Sequence, residues 1–463
     1  MKRLITISII MMCLAFPASL PVFAEEPAPG QAATAVPQSA AVVTAAVAAP
    51  VAAVNTGDTA WVLMSSALVL LMTIGLAFFY GGLARRKNVL SIIMQCIIIM
   101  CVISLQWVLY GYSLAFGPDT GQGIIGSLAW FGLRGVGGQP NADYAATIPH
   151  QVFMIFQAMF AIITPALIIG AFAERIKFSA FLIFTLLWAT LVYDPMAHWV
   201  WGTGGWLKKM GALDFAGGIV VHVISGVSAL VMCILIGKRI GSDKQSYRPH
   251  NLPWTVLGAG ILWFGWFGFN AGSALAANDL AANAFVTTNT ATAAAGLTWA
   301  LIEWWKHGTP TLLGTVTGAV AGMVAITPAC GFVSPVNAIF IGAIASFLCF
   351  FAMTKIKTFF GYDDALDVFG VHGVGGIWGT FATGLFAEKA VNAAGADGLF
   401  FGGAHQFLVQ VLLVGVAVTY AVIMSFILFK ITDALVGVRV EKKDELIGLD
   451  LTQHNESAYT VLE

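Results

Sequence analysis

Apolar runs of about 20 residues recur along this chain from residue 58 to residue 430. As a helix, such a run is about 30 Å long, which matches the hydrocarbon thickness of a lipid bilayer. Only 10% of the residues are charged and 59% are hydrophobic, whereas a soluble domain carries roughly 25% charged residues. So few charges cannot cover a water-facing surface of this size. The sequence therefore predicts an all-α polytopic membrane protein embedded in a lipid bilayer.

The apolar runs predict eleven membrane-spanning helices. Their approximate limits are 59–80, 89–116, 150–172, 178–200, 215–237, 253–276, 283–305, 311–328, 335–354, 367–386 and 404–430. The 50 glycines would weaken helices in a soluble protein, but in a bilayer small residues let helix backbones approach closely. We therefore expect a tightly packed helical bundle.

Basic residues predict the orientation of these spans. Lys and Arg concentrate in the loops that follow odd-numbered spans, so these loops are predicted to be cytoplasmic. The N-terminus is then outside and the C-terminus is cytoplasmic. The basic residues of the predicted cytoplasmic segments are Arg85, Arg86, Lys87, Arg175, Lys177, Lys238, Arg239, Lys244, Arg248, Lys306, Lys355, Lys357, Arg439, Lys442 and Lys443.

Residues 1–24 have the features of a secretory signal peptide. Lys2 and Arg3 precede the apolar stretch 4–16, and the segment that ends at Ala24 supplies small residues for cleavage. The alternative is an uncleaved anchor helix. The apolar stretch is short and interrupted by two prolines, which favours the signal peptide.

The rest of the chain divides into three parts by composition. Residues 25–56 are rich in Ala, Pro and Val without a polar–apolar period, and they predict a flexible lead segment. Residues 57–430 form the predicted transmembrane domain. Residues 431–463 are more polar and form the predicted cytoplasmic tail.

Several other classes of function lack sequence support. The formal net charge of -1 gives no indication of nucleic-acid binding. The six cysteines form no CxxC pair and no metal-ligand spacing, so we expect no metal site, no cofactor and no disulfide framework. Because the sequence offers no nucleophile–base–acid set and no phosphate-binding loop, we do not expect an enzyme.

Two histidines lie within apolar spans, His222 in GGIVVHVISG and His372 in VFGVHGVGG. Ionisable groups inside a membrane are costly and mark transport pathways or proton relays. Two facing neutral imidazoles can share a proton and still present polar edges to a small molecule. Glycines flank both rings, and we expect the missing side chains to leave room for a narrow pore. The alternative is that each ring satisfies a backbone carbonyl in the core.

A weak internal repeat relates the two halves of the domain. Asp214 precedes His222 in the fifth span and Asp367 precedes His372 in the tenth, although the two spacings differ. With five spans per half, the second half is inverted relative to the first, and inverted repeats place a transporter's working site at their interface near mid-membrane. We expect each aspartate to cap its helix, and Asp214 also to stabilise a nearby cation.

Aromatic residues accumulate at the predicted outer ends of the spans. Phe156 and Phe160 are four apart, so their rings lie on one helix face. Trp201 ends the fourth span, and Phe269 and Ser273 end the sixth. Trp201 and Ser273 are therefore expected to meet at an outer vestibule. On composition alone, Trp201 is an interfacial anchor and the phenylalanine pair is core packing.

Ten sequence stretches, in order, carry a resemblance to a known family. They are FFYGGLARRKNVLS, WVLYGYSLAFG, GAFAERIKFSA, GALDFAGG, GKRIG, PHNLP, GWFGFNAGSA, TPACG, DVFGVHGVGG and GLD. From about residue 55 to the end, the chain resembles the bacterial ammonium transporters of the Amt/Mep/Rh superfamily. The resemblance implies eleven transmembrane helices with a five-plus-five inverted repeat and a last helix. It also implies a homotrimer with one pore per subunit in the bacterial cytoplasmic (inner) membrane.

The resemblance also assigns roles to individual residues. Trp201 resembles the outer tryptophan that meets the cation face-on, and Ser273 resembles its hydrogen-bonding partner. The Rh branch lacks this pair, so the pair places the chain in the Amt branch, although the loop GTGGWLKKMGAL departs from the family pattern. The predicted substrate-binding residues are Trp201, Ser273, Phe160, Phe156 and Asp214, the pore gate is Phe160 and Phe269, and the pore histidines are His222 and His372.

The implied function is ammonium transport for nitrogen uptake. The cation is recruited at the outer aromatic site and deprotonated, and ammonia then crosses a hydrophobic pore while the proton moves separately. Methylammonium is a second expected substrate. The tail stretch RVEKKDELIGLD implies a docking surface for a PII-type signal protein. The alternative is an ammonium sensor that transports little.

Overall fold

The computed structural model describes residues 53–242 and 247–459. Within these ranges a helix lies at each of the eleven predicted positions, and two short helices follow in the tail. The predicted signal peptide and nearly all of the lead segment lie outside the described residues. The helices are α1 (Thr56–Leu83), α2 (Arg86–Phe116), α3 (His150–Phe172), α4 (Phe178–Val200), α5 (Gly218–Ile236), α6 (Leu252–Ala274), α7 (Asp279–His307), α8 (Leu312–Ile326), α9 (Pro335–Phe360), α10 (Phe369–Gly373 followed directly by Val374–Phe386), α11 (Ala404–Val436), α12 (Lys442–Ile447) and α13 (Leu449–His454).

Eight of the helices in the described ranges are long and apolar enough to cross a membrane. The other three at predicted positions are α7, which is less apolar, and α8 and α10, which are shorter. A helical, multi-span membrane architecture is therefore confirmed. The count of eleven spans and the orientation of the termini stay predictions; below, "outer" and "inner" follow the predicted orientation.

The first helices of the two predicted halves, α1 and α6, pack closely along each other. Their contact depends on glycine on both sides. A Cβ atom on Gly258 of α6 would lie 2.3 Å from the backbone nitrogen of Phe79 in α1, and one on Gly75 would lie 2.8 Å from the side chain of Ile261. The glycines therefore serve the close backbone approach that the composition predicts.

Several long helices contain a π-helical turn, and four of these turns fall in matching places of the two predicted halves. They are Ala189–Tyr193 in α4 and Ala352–Ile356 in α9, and Gly218–Val223 at the start of α5 and Phe369–Gly373 at the start of α10. Such turns are rare and frequently mark functional sites. The matching positions agree with a five-plus-five repeat, which stays a prediction.

The loop between α2 and α3 contains the regular β-structure of the described residues. Strand β1 (Pro140–Asn141) pairs antiparallel with β2 (Ala145–Pro149). Another outer loop joins α4 to α5 and includes the single-turn helix Trp206–Lys209. These loops cover the outer end of the bundle near the aromatic residues described below.

The tail folds back onto the inner loops. The carboxylate of Asp450 accepts a hydrogen bond from the Ser91 backbone at 2.8 Å, and that of Glu445 accepts one from the Ile240 backbone at 2.6 Å. Both acidic side chains are buried. The tail is therefore part of the folded unit rather than a free solvated end, and only part of RVEKKDELIGLD remains exposed for a partner.

An ion-pair network lies beside the docked tail at the inner end of α10. Arg239 contacts the Asp363 carboxylate at 2.8 Å and also reaches Glu174. Burial opposes ionisation of Asp363, but the hydrogen bond and charge of Arg239 outweigh it and hold the pKa of Asp363 well below its usual range. The network thus fixes the segment that immediately precedes α10.

Candidate functional site

The two histidines of the apolar spans contact each other in the buried interior of the helical bundle. The Nδ1 atoms of His222 and His372 are 3.2 Å apart, and their rings are inclined by 25°. A hydrogen bond between these atoms requires one Nδ1 to donate and the other to accept, so the pair shares a single proton along this contact. The Nε2 atom of His222 is buried and has no hydrogen-bond partner among the described residues.

Glycine brings the two histidine-bearing helices together. A Cβ atom on Gly226 of α5 would lie 2.1 Å from the backbone nitrogen of Gly373 in α10, and one on Gly376 would lie 3.0 Å from the Cβ atom of His222. The expectation that these glycines leave space for the pore is wrong. They pack against backbone or side chains and let α5 and α10 cross at the distance that the imidazole contact requires.

Asp214 caps α5, as predicted. One carboxylate oxygen accepts hydrogen bonds from the backbone of Gly217 and Gly218, and the other accepts them from Ile219 and Val220, at 2.6–3.2 Å. Gly217 has a φ of +113°, which favours glycine at this sharp entry to the helix. A buried carboxylate with four donors thus fixes the turn that carries His222.

The predicted cap of α10 by Asp367 is wrong. Asp364 takes this place, because its carboxylate accepts a hydrogen bond from the Phe369 backbone at 2.8 Å. Asp367 instead pairs with Lys357 at 2.6 Å and has a φ of +58°. Asp364 precedes His372 by eight residues (364 to 372), and Asp214 precedes His222 by eight residues (214 to 222), so the capping aspartate and the histidine have equal spacing in the two halves.

Replacing Asp214 by alanine is expected to lower the free energy of unfolding by about 3 kcal/mol or more, because four buried N–H groups lose their acceptor. The measurement is thermal or denaturant unfolding of the purified protein in detergent. Asp367→Ala is the matched control, since its partly exposed ion pair contributes about 1 kcal/mol at most. Equal losses in the two variants would contradict the capping role.

A narrow apolar cavity adjoins the histidine pair. Its volume is about 10 Å³, which is close to the smallest volume that accommodates one water-sized molecule. His222 and His372 are the ionisable residues among those that line it. The lining residues are Met72, Leu76, Phe79, Ile163, Leu167, Val221, His222, Leu262, Trp266, Phe269, Val320 and His372.

Two phenylalanine rings close the outer side of this cavity. Phe160 of α3 stacks on Phe269 of α6 with ring centroids 4.3 Å apart, and both side chains are buried. Phe269 in turn lies 6.1 Å from the His222 ring. The stacked pair therefore occupies the position between the outer residues and the histidines that a gate requires.

Trp201 lies on the outer side of the stacked pair. Its ring meets Phe160 edge to face with centroids 6.0 Å apart, and its indole N–H donates to the Asp214 carbonyl at 2.8 Å. The Ser273 hydroxyl donates to the Phe269 carbonyl at 2.8 Å. Because its proton is engaged there, the Ser273 oxygen is left to accept a hydrogen bond from a ligand.

Trp201 and Ser273 are connected through the two gate rings. Within the described residues they share no hydrogen bond; Trp201 meets Phe160, Phe160 stacks on Phe269, and Ser273 donates to the Phe269 carbonyl. Phe156 is fully buried behind Phe160, with ring centroids 5.0 Å apart. Phe156 therefore supports the Phe160 ring from behind.

A second, larger cavity continues from the histidines towards the inner end. It has a volume of about 270 Å³ and shares Phe79, Val320 and His372 with the narrow cavity. Its walls include the carboxylates of Glu303 and Asp367. The polarity therefore rises from the apolar middle towards the inner mouth.

Trp266 is a site residue that the sequence reasoning missed. Its ring stacks on His222 at 5.4 Å with an inclination of 18°, and its indole N–H donates to Thr327 at 2.9 Å. It precedes Phe269 by three residues on α6, so helical spacing places both rings on one face. This three-residue spacing, within the motif GWFGFNAGSA, is the sequence signal that places Trp266 beside Phe269.

Comparison with known sequences reveals extensive similarity. Residues 60–459 match the model of the Ammonium Transporter Family. The chain is 53% identical to the ammonium transporter of Bacillus subtilis, over 87% of this chain and 98% of that protein. It is 49% identical to ammonium transporter Amt1 of Archaeoglobus fulgidus, over 87% of this chain and 99% of that protein.

Solved structures share the same fold. The crystal structure of Saccharomyces cerevisiae Mep2 superposes with a TM-score of 0.79 and is 36% identical. The match covers 84% of this chain and 89% of Mep2. The similarity therefore spans the helical bundle and the site residues described above.

Proposed function

The chain belongs to the ammonium transporter family, and we propose that it moves ammonium across the membrane by separating the proton from the nitrogen. Its relatives are named as transporters of ammonium, which favours transport over the alternative of a sensor. One observation carries the proposed mechanism. Two imidazoles in hydrogen-bond contact line an apolar cavity that is wide enough for about one small molecule.

Recruitment begins outside the stacked phenylalanines. An ammonium ion over the Trp201 ring gains about 0.5–2 kcal/mol from cation–π attraction, and Phe160 supplies a second ring. The Ser273 oxygen accepts one of its N–H groups. The Asp214 backbone carbonyl holds the Trp201 indole, and the buried carboxylate of the same residue favours a positive charge nearby.

The apolar middle requires the charge to be removed. A charge at the centre of a membrane costs from about 3 to more than 10 kcal/mol. In the proposed mechanism the ion gives up its proton before or at the histidines, and ammonia crosses the narrow cavity. The proton passes separately through His222 and His372, whose Nδ1 atoms already share one. Potassium has no proton to lose and is excluded.

The inner cavity provides the exit in this mechanism. Ammonia that passes His372 enters a wider space with carboxylates of Glu303 and Asp367 in its walls. Anionic groups favour the protonated form of a base. Proton and ammonia therefore recombine on this side, and the ammonium ion leaves towards the cytoplasm.

Trp201→Leu is expected to raise the KM for ammonium about two- to thirtyfold, which corresponds to the loss of one cation–π contact. The measurement is ammonium-evoked current, or labelled methylammonium uptake, in vesicles that contain the purified protein. Trp199→Leu is the matched control, because this ring packs on Trp206 and Tyr420 instead of Phe160. Wild-type protein that binds ammonium without current or uptake would overturn transport in favour of sensing.

The setting of the protein is also proposed from its family. We place it as a homotrimer in the bacterial cytoplasmic membrane, with its N-terminus outside. A PII-type partner would contact the exposed part of the tail, which includes Lys442 and Lys443. Glu445 and Asp450 are excluded from that contact because they are buried against the protein's own loops.

A further inference from the structure

A lysine from the outer loop contacts the backbone of the recruitment tryptophan. Lys208 belongs to the single-turn helix Trp206–Lys209, and its Nζ atom donates to the Trp201 carbonyl at 3.0 Å. Trp201 caps the C-terminal end of α4. Carbonyl groups at helix C-termini attract cations, which explains why a lysine settles there.

A second contact restricts where the Lys208 ammonium group can lie. Its Nζ atom is 5.7 Å from the centroid of the Tyr144 ring. That ring is held by the Tyr144 hydroxyl, which donates to the Phe116 carbonyl at 2.6 Å, and by stacking on Phe153 at 4.8 Å. The lysine therefore has two fixed partners, so its charge stays beside the outer mouth of the site.

Trp201 does not depend on this lysine for its position. Its indole N–H is bound to the Asp214 carbonyl at 2.8 Å, and its backbone N–H is bound to the Ala197 carbonyl at 2.8 Å. Its ring packs against Phe160. Loss of the Lys208 contact would thus leave the recruitment ring in place, and the main consequence would be electrostatic.

We propose that Lys208 is a fixed cation at the outer mouth that weakens ammonium binding and so sets the KM of transport. The proposal rests on recruitment of ammonium at Trp201. The positive charge of Lys208 repels a cation over the Trp201 ring, and the repulsion is moderate because Lys208 is exposed to solvent. Partial burial lowers the pKa of Lys208, and the nearby charge of Asp143 opposes this shift by favouring the protonated lysine. Lys208 therefore modulates the affinity for ammonium through its charge rather than through a contact with the substrate.

The test compares the KM of Lys208→Met with that of the wild type at low ionic strength. We expect a KM about two- to fivefold lower with an unchanged maximal rate, and we expect the difference to shrink as salt is added. Lys208→Arg, which keeps the charge, should retain the wild-type KM. Lys209→Met is the matched control, since it removes one positive charge from the adjacent exposed residue.

An unchanged or raised KM in Lys208→Met would overturn the proposal. An equal decrease in Lys209→Met would do so as well, because the effect would then come from net charge alone. Trp201→Leu, measured in parallel in vesicles of the same composition, shows whether a negative result concerns Lys208 alone or the recruitment site itself. If Trp201→Leu raises the KM while Lys208→Met has no effect, only the role of Lys208 is lost.

Discussion

Alanine at either His222 or His372 is expected to lower the rate of ammonium transport about 100-fold or more. Positioned acid–base groups contribute about 10²–10⁴ to the rate of a proton transfer. Each histidine holds one end of the contact between the two Nδ1 atoms, so either substitution interrupts the proposed proton route. The measurement is initial uptake of labelled methylammonium into vesicles, normalised to the amount of folded protein.

The double variant provides the sharper comparison. The double variant carries alanine at both His222 and His372. Because the two rings act as one unit, its transport rate is expected to be no lower than that of either single variant. His150→Ala is the control for loss of a buried histidine: its ring binds the Tyr112 hydroxyl at 2.6 Å and lies away from the narrow cavity. It should reduce stability but leave the transport rate per folded molecule near that of the wild type.

A single-histidine variant that keeps more than about half of the wild-type rate and still excludes potassium would remove the pair from the mechanism. The half-rate limit is far above the residual rate expected after loss of an acid–base group. Potassium conductance has to be measured in parallel, since an enlarged cavity could admit a hydrated ion. Transport of both ions would identify a leak rather than the proposed route.

The sequence predicted the parts of the site that depend on composition and local spacing. Ionisable residues in apolar spans identified His222 and His372, and a carboxylate before a glycine pair identified the Asp214 cap. The resemblance to a known family supplied Trp201 and the two gate rings. These predictions depend on local backbone chemistry or on a recognised motif. They do not require the distances and angles at which the helices cross.

The errors arose where three-dimensional contacts decide the outcome. Asp367 was the nearer aspartate to His372, but its backbone turns through a φ of +58° and its carboxylate meets Lys357. The capping role therefore moves back to Asp364. The eight-residue spacing that Asp364 and His372 share with Asp214 and His222 is the sequence signal that favours Asp364, whereas the contact of Asp367 with a lysine from the end of α9 is visible only in the structure.

The glycines beside the histidines were misinterpreted for the same reason. A missing side chain can open a cavity or admit another backbone, and sequence alone does not separate these cases. In the structure a Cβ atom on Gly226 would meet backbone atoms of Gly373 and His372 at 2.1–2.8 Å. The crossing of α5 and α10, rather than the pore, therefore requires glycine here.

Gly226→Ala is accordingly expected to reduce transport about 100-fold even though it adds a single methyl group away from the cavity wall. Backbone atoms of α10 cannot rotate out of the way, so the two helices must separate, and a misplacement of about 1 Å can cost 10²-fold in rate. Overpacking should also lower the free energy of unfolding by about 1–3 kcal/mol. Uptake and thermal unfolding in detergent measure the two effects.

A graded series of glycine substitutions distinguishes this account from a general intolerance of alanine. Gly260→Ala has no atom within 4 Å of the added methyl group and should behave as the wild type. Gly373→Ala would meet the ring of Phe369 at 2.5 Å, and because a side chain can shift, its effect should be intermediate. Wild-type transport by Gly226→Ala, or equal losses across the series, would show that the distance between α5 and α10 does not control the histidine contact.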